Sequence, residues 1–161
     1  MSITVAILTI SDSAVAGTRE DASGPALAER CRQLGWEVAA AGMVADDESA
    51  IKNKLQEWAD GDTASLILTT GGTGVAPRDV TPEATRSVLD REIPGLGELM
   101  RQKGLEQTKF SVMSRALAGS RKRSLIVNLP GSPRGALFSL QSIEPVVPHT
   151  IELLRGHTCH R

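Results

Sequence analysis

The chain has 161 residues, enough for one domain spanning 1–161 with a core of its own, and its 40% apolar and 23% charged composition is that of an ordinary globular protein. Two Phe, two Trp and no Tyr leave little with which to stack bases, and a formal net charge of -1 argues against a general polyanion binder, so no nucleic-acid partner is expected. Two cysteines, Cys31 and Cys159, give no disulfide framework, no leader is visible and the apolar runs are only strand-sized, so a cytoplasmic protein without a membrane span is expected.

The run ITVAILTI at Ile3–Ile10 predicts a buried strand that ends in the polar Ser11-Asp12-Ser13. A loop leads to Gly24-Pro25, where Pro suits a helix start. Leu27, Cys31 and Leu34 then fall on one helical face, and Gly35 can stop the helix. Trp36–Val44 is a second strand candidate, and the acids of Asp46-Asp47-Glu48 suit the next helix N-terminus. Ile51, Leu55 and Trp58 make that helix's apolar stripe, and SLILTT at Ser65–Thr70 is a third strand running into Gly71-Gly72-Thr73-Gly74.

Thr81-Pro82 reads as N-cap and first turn of a helix, and residues 83–105 read as helical with a break near Pro94-Gly95. SLIVNL at Ser124–Leu129 is a fourth strand, followed by Pro130-Gly131-Ser132-Pro133, a helix over 134–142 and a last helix from about Pro145–Pro148. Strands alternating with helices imply an α/β protein with a mostly parallel sheet covered on both faces, with ligands beyond the carboxyl ends of the strands.

The unusual loops fall at that edge. Gly71, Gly72 and Gly74 free backbone amides to approach an anion, with Thr70 and Thr73 hydroxyls beside them, although a plain tight turn explains the same residues. The spacing matches neither a dinucleotide fingerprint nor a P-loop. Asp79 is placed to hold Mg²⁺ or to cap a helix, and Asp46 or Asp47 to join it or to start the next helix. Residues 101–134 carry eight Lys/Arg against one acid, Glu106, so a local anion site is expected there. Within that segment, Arg115 beside Ser114 is a phosphate-gripping candidate, whereas Arg121-Lys122-Arg123 reads as a solvated loop. Ser11, Asp12 and Ser13 are ligand candidates or turn residues. His157, Cys159 and His160 match no standard zinc spacing and are not expected to bind metal, and no nucleophile–His pair suggests acyl chemistry.

TTGGTGVAPRDVTPEAT at Thr69–Thr85 resembles the signature of the molybdopterin adenylyltransferases, the MogA/MoaB-type family of molybdenum-cofactor biosynthesis. ISDS at Ile10–Ser13, IPGLGELMR at Ile93–Arg101, Ser114-Arg115 and LIVNLPGSP at Leu125–Pro133 extend the resemblance over nearly the whole chain. It implies the molybdopterin-binding fold, a three-layer αβα sandwich, and a homotrimer. It also implies ATP and molybdopterin as substrates, Mg²⁺, and a MoeA-type molybdenum insertase as partner. By the same resemblance Asp46 and Asp79 are the catalytic and metal-binding acids, with Ser114 beside them. Thr70, Gly71, Gly72, Thr73 and Gly74 hold phosphate; Ser11, Asp12, Ser13, Arg115, Pro130, Gly131 and Ser132 complete the substrate pocket. The competing readings are a family member that binds molybdopterin without adenylylating it, and a pyridine-nucleotide or ADP-ribose hydrolase related to competence-damage proteins. The retained acids and Ser114 argue against the first, and RDVTPEA in a short chain against the second.

Overall fold

The computed structural model describes residues 2–158, so the Cys159 and His160 expectations lie outside the described residues. The chain order is β1 (Thr4–Ile10), α1 (Asp12–Val15), α2 (Ser23–Gln33), β2 (Glu37–Val44), α3 (Glu48–Asp60), β3 (Leu66–Thr70) and α4 (Thr81–Val88). There follow β4 (Arg91–Glu92), α5 (Pro94–Gly104), a 3₁₀ turn (Lys109–Met113), β5 (Ala118–Arg121), β6 (Ser124–Leu129), α6 (Pro133–Ile143) and α7 (Val147–Leu154). No helix among the described residues is long and apolar enough to cross a membrane.

The strands form one six-stranded sheet in the order β2-β1-β3-β6-β5-β4. The first four are mutually parallel, in a register that sets Ile7 opposite Leu68 and Leu68 opposite Val127. The continuous apolar runs of β1, β3 and β6 reflect burial on both faces, while β2 at the edge alternates between exposed and half-buried residues. Val5, Ile7, Leu66, Leu68, Leu125 and Val127 point to one side and pack with Leu27, Cys31, Met100, Leu140 and Ile151 of α2, α5, α6 and α7. Ala6, Leu8, Ile67 and Ile126, one residue out of phase, face Ile51, Leu55, Trp58, Ala84 and Val88 of α3 and α4. The result is the expected three-layer αβα sandwich.

Cys31 is fully buried on the α2 face, and desolvation raises its thiol to about 12. Iodoacetamide at pH 8 should therefore leave Cys31 unmodified in the folded protein, as read by peptide mass mapping. Labelling at the rate of a free thiol would mean that α2 does not pack as described.

The structure departs from the sequence expectations in several places, the short α1 within the expected first loop among them. β5, with the weak strand sequence AGSR, pairs antiparallel with β6, and the two-residue β4 pairs antiparallel with β5. Residues 83–105 are accordingly two helices flanking a short edge strand, with Pro94 at the start of the second. Thr81 does not cap α4: the N-cap is Val80, and the buried Thr81 hydroxyl donates to the Gly71 carbonyl (2.9 Å). Arg121 is not simply solvated, since its Nε and one terminal nitrogen donate to the Asp60 carboxylate, both at 2.8 Å.

A buried polar hub seats α4 on the sheet. The side-chain amide of Asn128 on β6 donates to Thr69 Oγ1 of β3 (3.0 Å) and Thr85 Oγ1 of α4 (2.9 Å). All three residues are fully buried, so the hub fixes the helix that follows the Asp79 loop.

Candidate active site

The chain leaves β1 for one side of the sheet and β3 for the other, which opens a crevice between their carboxyl ends. A cavity of about 390 Å³ occupies it, lined among others by Ser11, Asp46, Thr70, Gly71, Gly72, Asp79, Gly131 and Ser132. The acids expected from the sequence thus share one cavity with the glycine turn.

Gly71 makes this turn possible. Its φ is +110, its N–H donates to the Leu129 carbonyl (3.1 Å), and a Cβ there would collide with the Ile10 carbonyl oxygen. Gly131 completes the close approach, because a Cβ on it would lie 3.3 Å from the Gly71 Cα. Gly72, at φ +67, lies against the Asp46 carboxylate, with 3.1 Å from an added Cβ to Oδ1. Gly74 similarly faces Asp79, with 2.8 Å to Oδ2. The Thr70 hydroxyl donates to the Pro130 carbonyl (2.7 Å) and so ties the β3 and β6 loops together.

The adjacent acids of the β2 loop have separate tasks. Asp47 is the N-cap of α3, its carboxylate accepting from the Ala50 N–H (2.8 Å), while Asp46 lines the cavity. Burial pushes the Asp46 carboxyl above the ordinary range, the Asp12 amide pulls it down, and the Asp12 and Asp79 charges push it up again. Asp47→Ala should therefore lose about 1 kcal/mol of stability through the lost cap yet keep the ligand chemistry. Thermal unfolding and ligand titration check this, and a loss of ligand chemistry with unchanged stability would reverse the two assignments.

Asp12 does not open into the cavity as a free ligand. Its carboxylate accepts from Arg78 Nε (3.0 Å) and a terminal Arg78 nitrogen (2.9 Å), and this guanidinium holds the Asp12 carboxyl below its usual range. Ser11 Oγ accepts from the Ala14 N–H (3.2 Å) and lies 3.1 Å from Ser13 Oγ. Ser132 caps α6 through the Gly135 N–H (3.1 Å).

A second cavity of about 290 Å³ lies across the glycine loop, lined by Thr73, Gly74, Met100, Phe110, Met113, Ser114, Pro130, Ser132 and Phe138, among others. Its wall is largely apolar, and it meets the first cavity at Ser132. Arg115 runs along this border. Its Nε donates to the Gly74 carbonyl (2.8 Å), one terminal nitrogen to the Asp79 carbonyl (2.8 Å) and the other to the Glu83 carboxylate. In this state the guanidinium braces the Gly74–Asp79 loop.

Arg19, Glu20 and Asp21 also line the first cavity, and the sequence reading passed over them. Asp21 accepts from Thr9 Oγ1 (2.8 Å) and the Gly24 N–H (3.0 Å), which folds the β1–α2 loop over the crevice. The Asp–x–x–Gly spacing, an Asp side chain turning back to a later amide, was the available signal.

An α/β sandwich with two acids and a glycine turn at its switch point, beside a largely apolar cavity, fits a protein that binds a small ligand beyond the carboxyl ends of its strands. The chain belongs to the family described as "probable molybdopterin binding domain", whose profile matches residues 6–149. It is 39% identical to a molybdopterin adenylyltransferase of Helicobacter pylori (strain J99 / ATCC 700824), covering 97% of this chain and 90% of that protein. The molybdopterin biosynthesis enzyme MoaB of Thermus thermophilus superposes with a TM-score of 0.90 at 51% identity, covering 96% of this chain and 97% of that one. The chain is also 41% identical to the Drosophila melanogaster molybdenum cofactor synthesis protein cinnamon; the match covers 95% of this chain but only 26% of that longer protein.

Proposed function

We propose that the protein is a molybdopterin adenylyltransferase of molybdenum-cofactor biosynthesis, joining AMP from ATP to the terminal phosphate of molybdopterin and releasing pyrophosphate. The observation that carries this reading is the sharing of one cavity by Asp46, Asp79 and the Gly71-Gly72 turn, directly beside the apolar slot at Ser114. The likeness to enzymes named molybdopterin adenylyltransferase supports it.

A terminal phosphate oxygen of molybdopterin attacks the α-phosphorus of ATP, and the bond to the bridging oxygen of pyrophosphate breaks. No general base is needed, because a phosphate monoester is already anionic. The obstacle is repulsion between two anions, so positioning and electrostatics supply most of the catalysis. In this reading the first cavity takes the reacting phosphates, against the Gly71-Gly72 turn, with Thr73 on the side of the second cavity. The second takes the flat pterin, whose polar edge meets Ser114.

Asp46 and Asp79 fit Mg²⁺: both are oxygen donors on one cavity, and the Asp79 charge is one of the influences that raise the Asp46 carboxyl, which a cation between them would offset. Two protein carboxylates are the number with which Mg²⁺ is commonly held when substrate phosphates and water supply its other ligands. When bound, Mg²⁺ supplies positive charge that offsets the phosphates. The chain's own part is to hold the two carboxylates and to fix the loops that carry them.

The reading extends to a single-domain homotrimer in the cytoplasm that hands its product to a MoeA-type molybdenum insertase. The exposed apolar side chains Val75, Phe110 and Met113 of the second cavity, with Val112 exposed in the same turn, support self-association. Incubation with Mg-ATP and molybdopterin tests the activity. Pyrophosphate should appear only when the pterin is present. Binding of both ligands without pyrophosphate, or hydrolysis of ADP-ribose without pterin, would overturn the proposal.

A further inference from the structure

Three loops meet at the mouth of the first cavity, and one side chain joins them all. Asp12 follows β1, Asp46 follows β2, and Arg78 follows β3 beside Asp79. The Asp12 N–H donates to Asp46 Oδ2 (2.9 Å), and the Asp46 N–H donates back to Asp12 Oδ1 (3.0 Å). This reciprocal pair fixes both the backbone and the carboxylate of Asp46. The outer side of Asp12 is gripped by two parallel bonds from Arg78, at 3.0 and 2.9 Å, a fork geometry that sets direction as well as distance. Arg78 is covalently next to Asp79, whose own Oδ2 accepts from the Ala76 N–H (3.0 Å) within the same turn. Directed hydrogen bonds therefore run from Asp46 through Asp12 to Arg78, and the peptide bond carries the connection on to Asp79.

We infer that Asp12 and Arg78 are positioning residues: as one unit they set the orientation of the Asp46 carboxylate and its placement relative to Asp79, and neither is a ligand of substrate or metal. The role assigned to Asp46 rests on the adenylyltransferase reading, but the coupling itself does not. Asp12 accepts three hydrogen bonds within the protein, which occupy most of its acceptor capacity, and it is absent from the lining of both cavities. An exposed ion pair adds little stability, and these side chains remain 68% (Arg78) and 46% (Asp12) exposed. The bridge is thus suited to placing groups rather than to holding up the fold, and its loss should leave the protein folded.

The experiment compares Arg78→Gln, Asp12→Asn and the double variant with the wild type, with Arg78→Lys as a one-point donor. Amide hydrogen exchange at Asp12 and Asp46, read by NMR without ligands, should rise ~10-fold or more in Arg78→Gln, as expected when a directed bond partner is freed. Mn²⁺ binding in the presence of a non-hydrolysable ATP analogue should weaken ~10–100-fold in either single variant, the usual effect of losing a residue that orients a metal ligand. The double variant should be no worse than the weaker single one, because the two act as a unit. In turnover the loss should fall on kcat, with the KM for molybdopterin unchanged and partial rescue by Arg78→Lys. Unchanged exchange at Asp46 in Arg78→Gln would overturn the inference. So would additive losses in the double variant, or tighter nucleotide binding by Asp12→Asn, which would mean a freed Arg78 that grips phosphate. A wild type without pyrophosphate release but with Asp46 exchange coupled to Arg78 would sink the adenylyltransferase reading and leave the coupling standing.

Discussion

Asp79→Ala is expected to abolish adenylyl transfer, with a loss on the order of 10³-fold, while molybdopterin still binds. The two effects separate because Asp79 lines the first cavity and is absent from the lining of the second. The fold should survive. The contacts that brace this turn run through the Asp79 backbone, its N–H donating to the Ala76 carbonyl (2.9 Å) and its carbonyl accepting from Arg115 (2.8 Å), and alanine keeps both. What is lost locally is one carboxylate bond to the Ala76 N–H, worth about 1 kcal/mol. Asp79→Asn keeps an oxygen acceptor for that bond and removes only the charge, so it should be almost as inactive as the alanine variant. Removing the Asp79 charge also removes one of the influences that raise the Asp46 carboxyl, so Asp46 should ionise more readily in both variants. Pyrophosphate release and equilibrium binding of molybdopterin make the measurement. Near-wild-type transfer by folded Asp79→Asn would exclude a charge role for this residue.

Gly71→Ala should be the most damaging single methyl addition at the site. The residue sits at φ +110, where an L side chain is strained by about 1–3 kcal/mol. Its new Cβ would also press on the Ile10 carbonyl, a backbone atom at the end of β1 that cannot rotate away. Overpacking adds roughly 1–3 kcal/mol, so a loss of about 2–6 kcal/mol is expected, and the melting temperature should fall by on the order of 10 °C. Relief requires β1 and β3 to part at the crevice, so transfer should fail together with stability. Gly95→Ala is the control, since it lies in the first turn of α5 with open space around it. It should be neutral or slightly stabilising. Thermal unfolding by circular dichroism compares the two, and equal melting temperatures would show that the turn is not packed as described.

Much of this molecule is readable from the chain alone because its central parallel strands β1, β3 and β6 are buried on both faces. Runs such as ITVAILTI and SLIVNL are apolar without interruption, and the helices between them carry stripes such as Ile51, Leu55 and Trp58. Local pattern and burial agree there, so order, type and approximate limits follow directly. The antiparallel margin was not legible. AGSR has neither alternation nor β-branched residues, and it becomes a strand only because β6 offers it hydrogen-bonding partners. Asn128 was hidden for a similar reason, since its value depends on two threonines 59 and 43 residues away in the chain.

At the site, the sequence by itself determined which residue types are available: glycines after the third strand, acids after the second and third, and a hydroxyl with a cation before the fourth. Those are local properties of composition and spacing, and they place the loops after the strands at one edge of the sheet, whereas Ser114 and Arg115 reach that edge only because β5 runs antiparallel to β6. Only the tertiary structure decided how the candidates divide their work. Asp47 turned to cap α3 while Asp46 faced the cavity, Arg115 bent back to brace the loop that carries Asp79, and Asp12 closed on Arg78. The physical reason is that a polar side chain goes to whichever partner lies within about 3 Å with good geometry, and that partner is set by the meeting of loops distant in sequence.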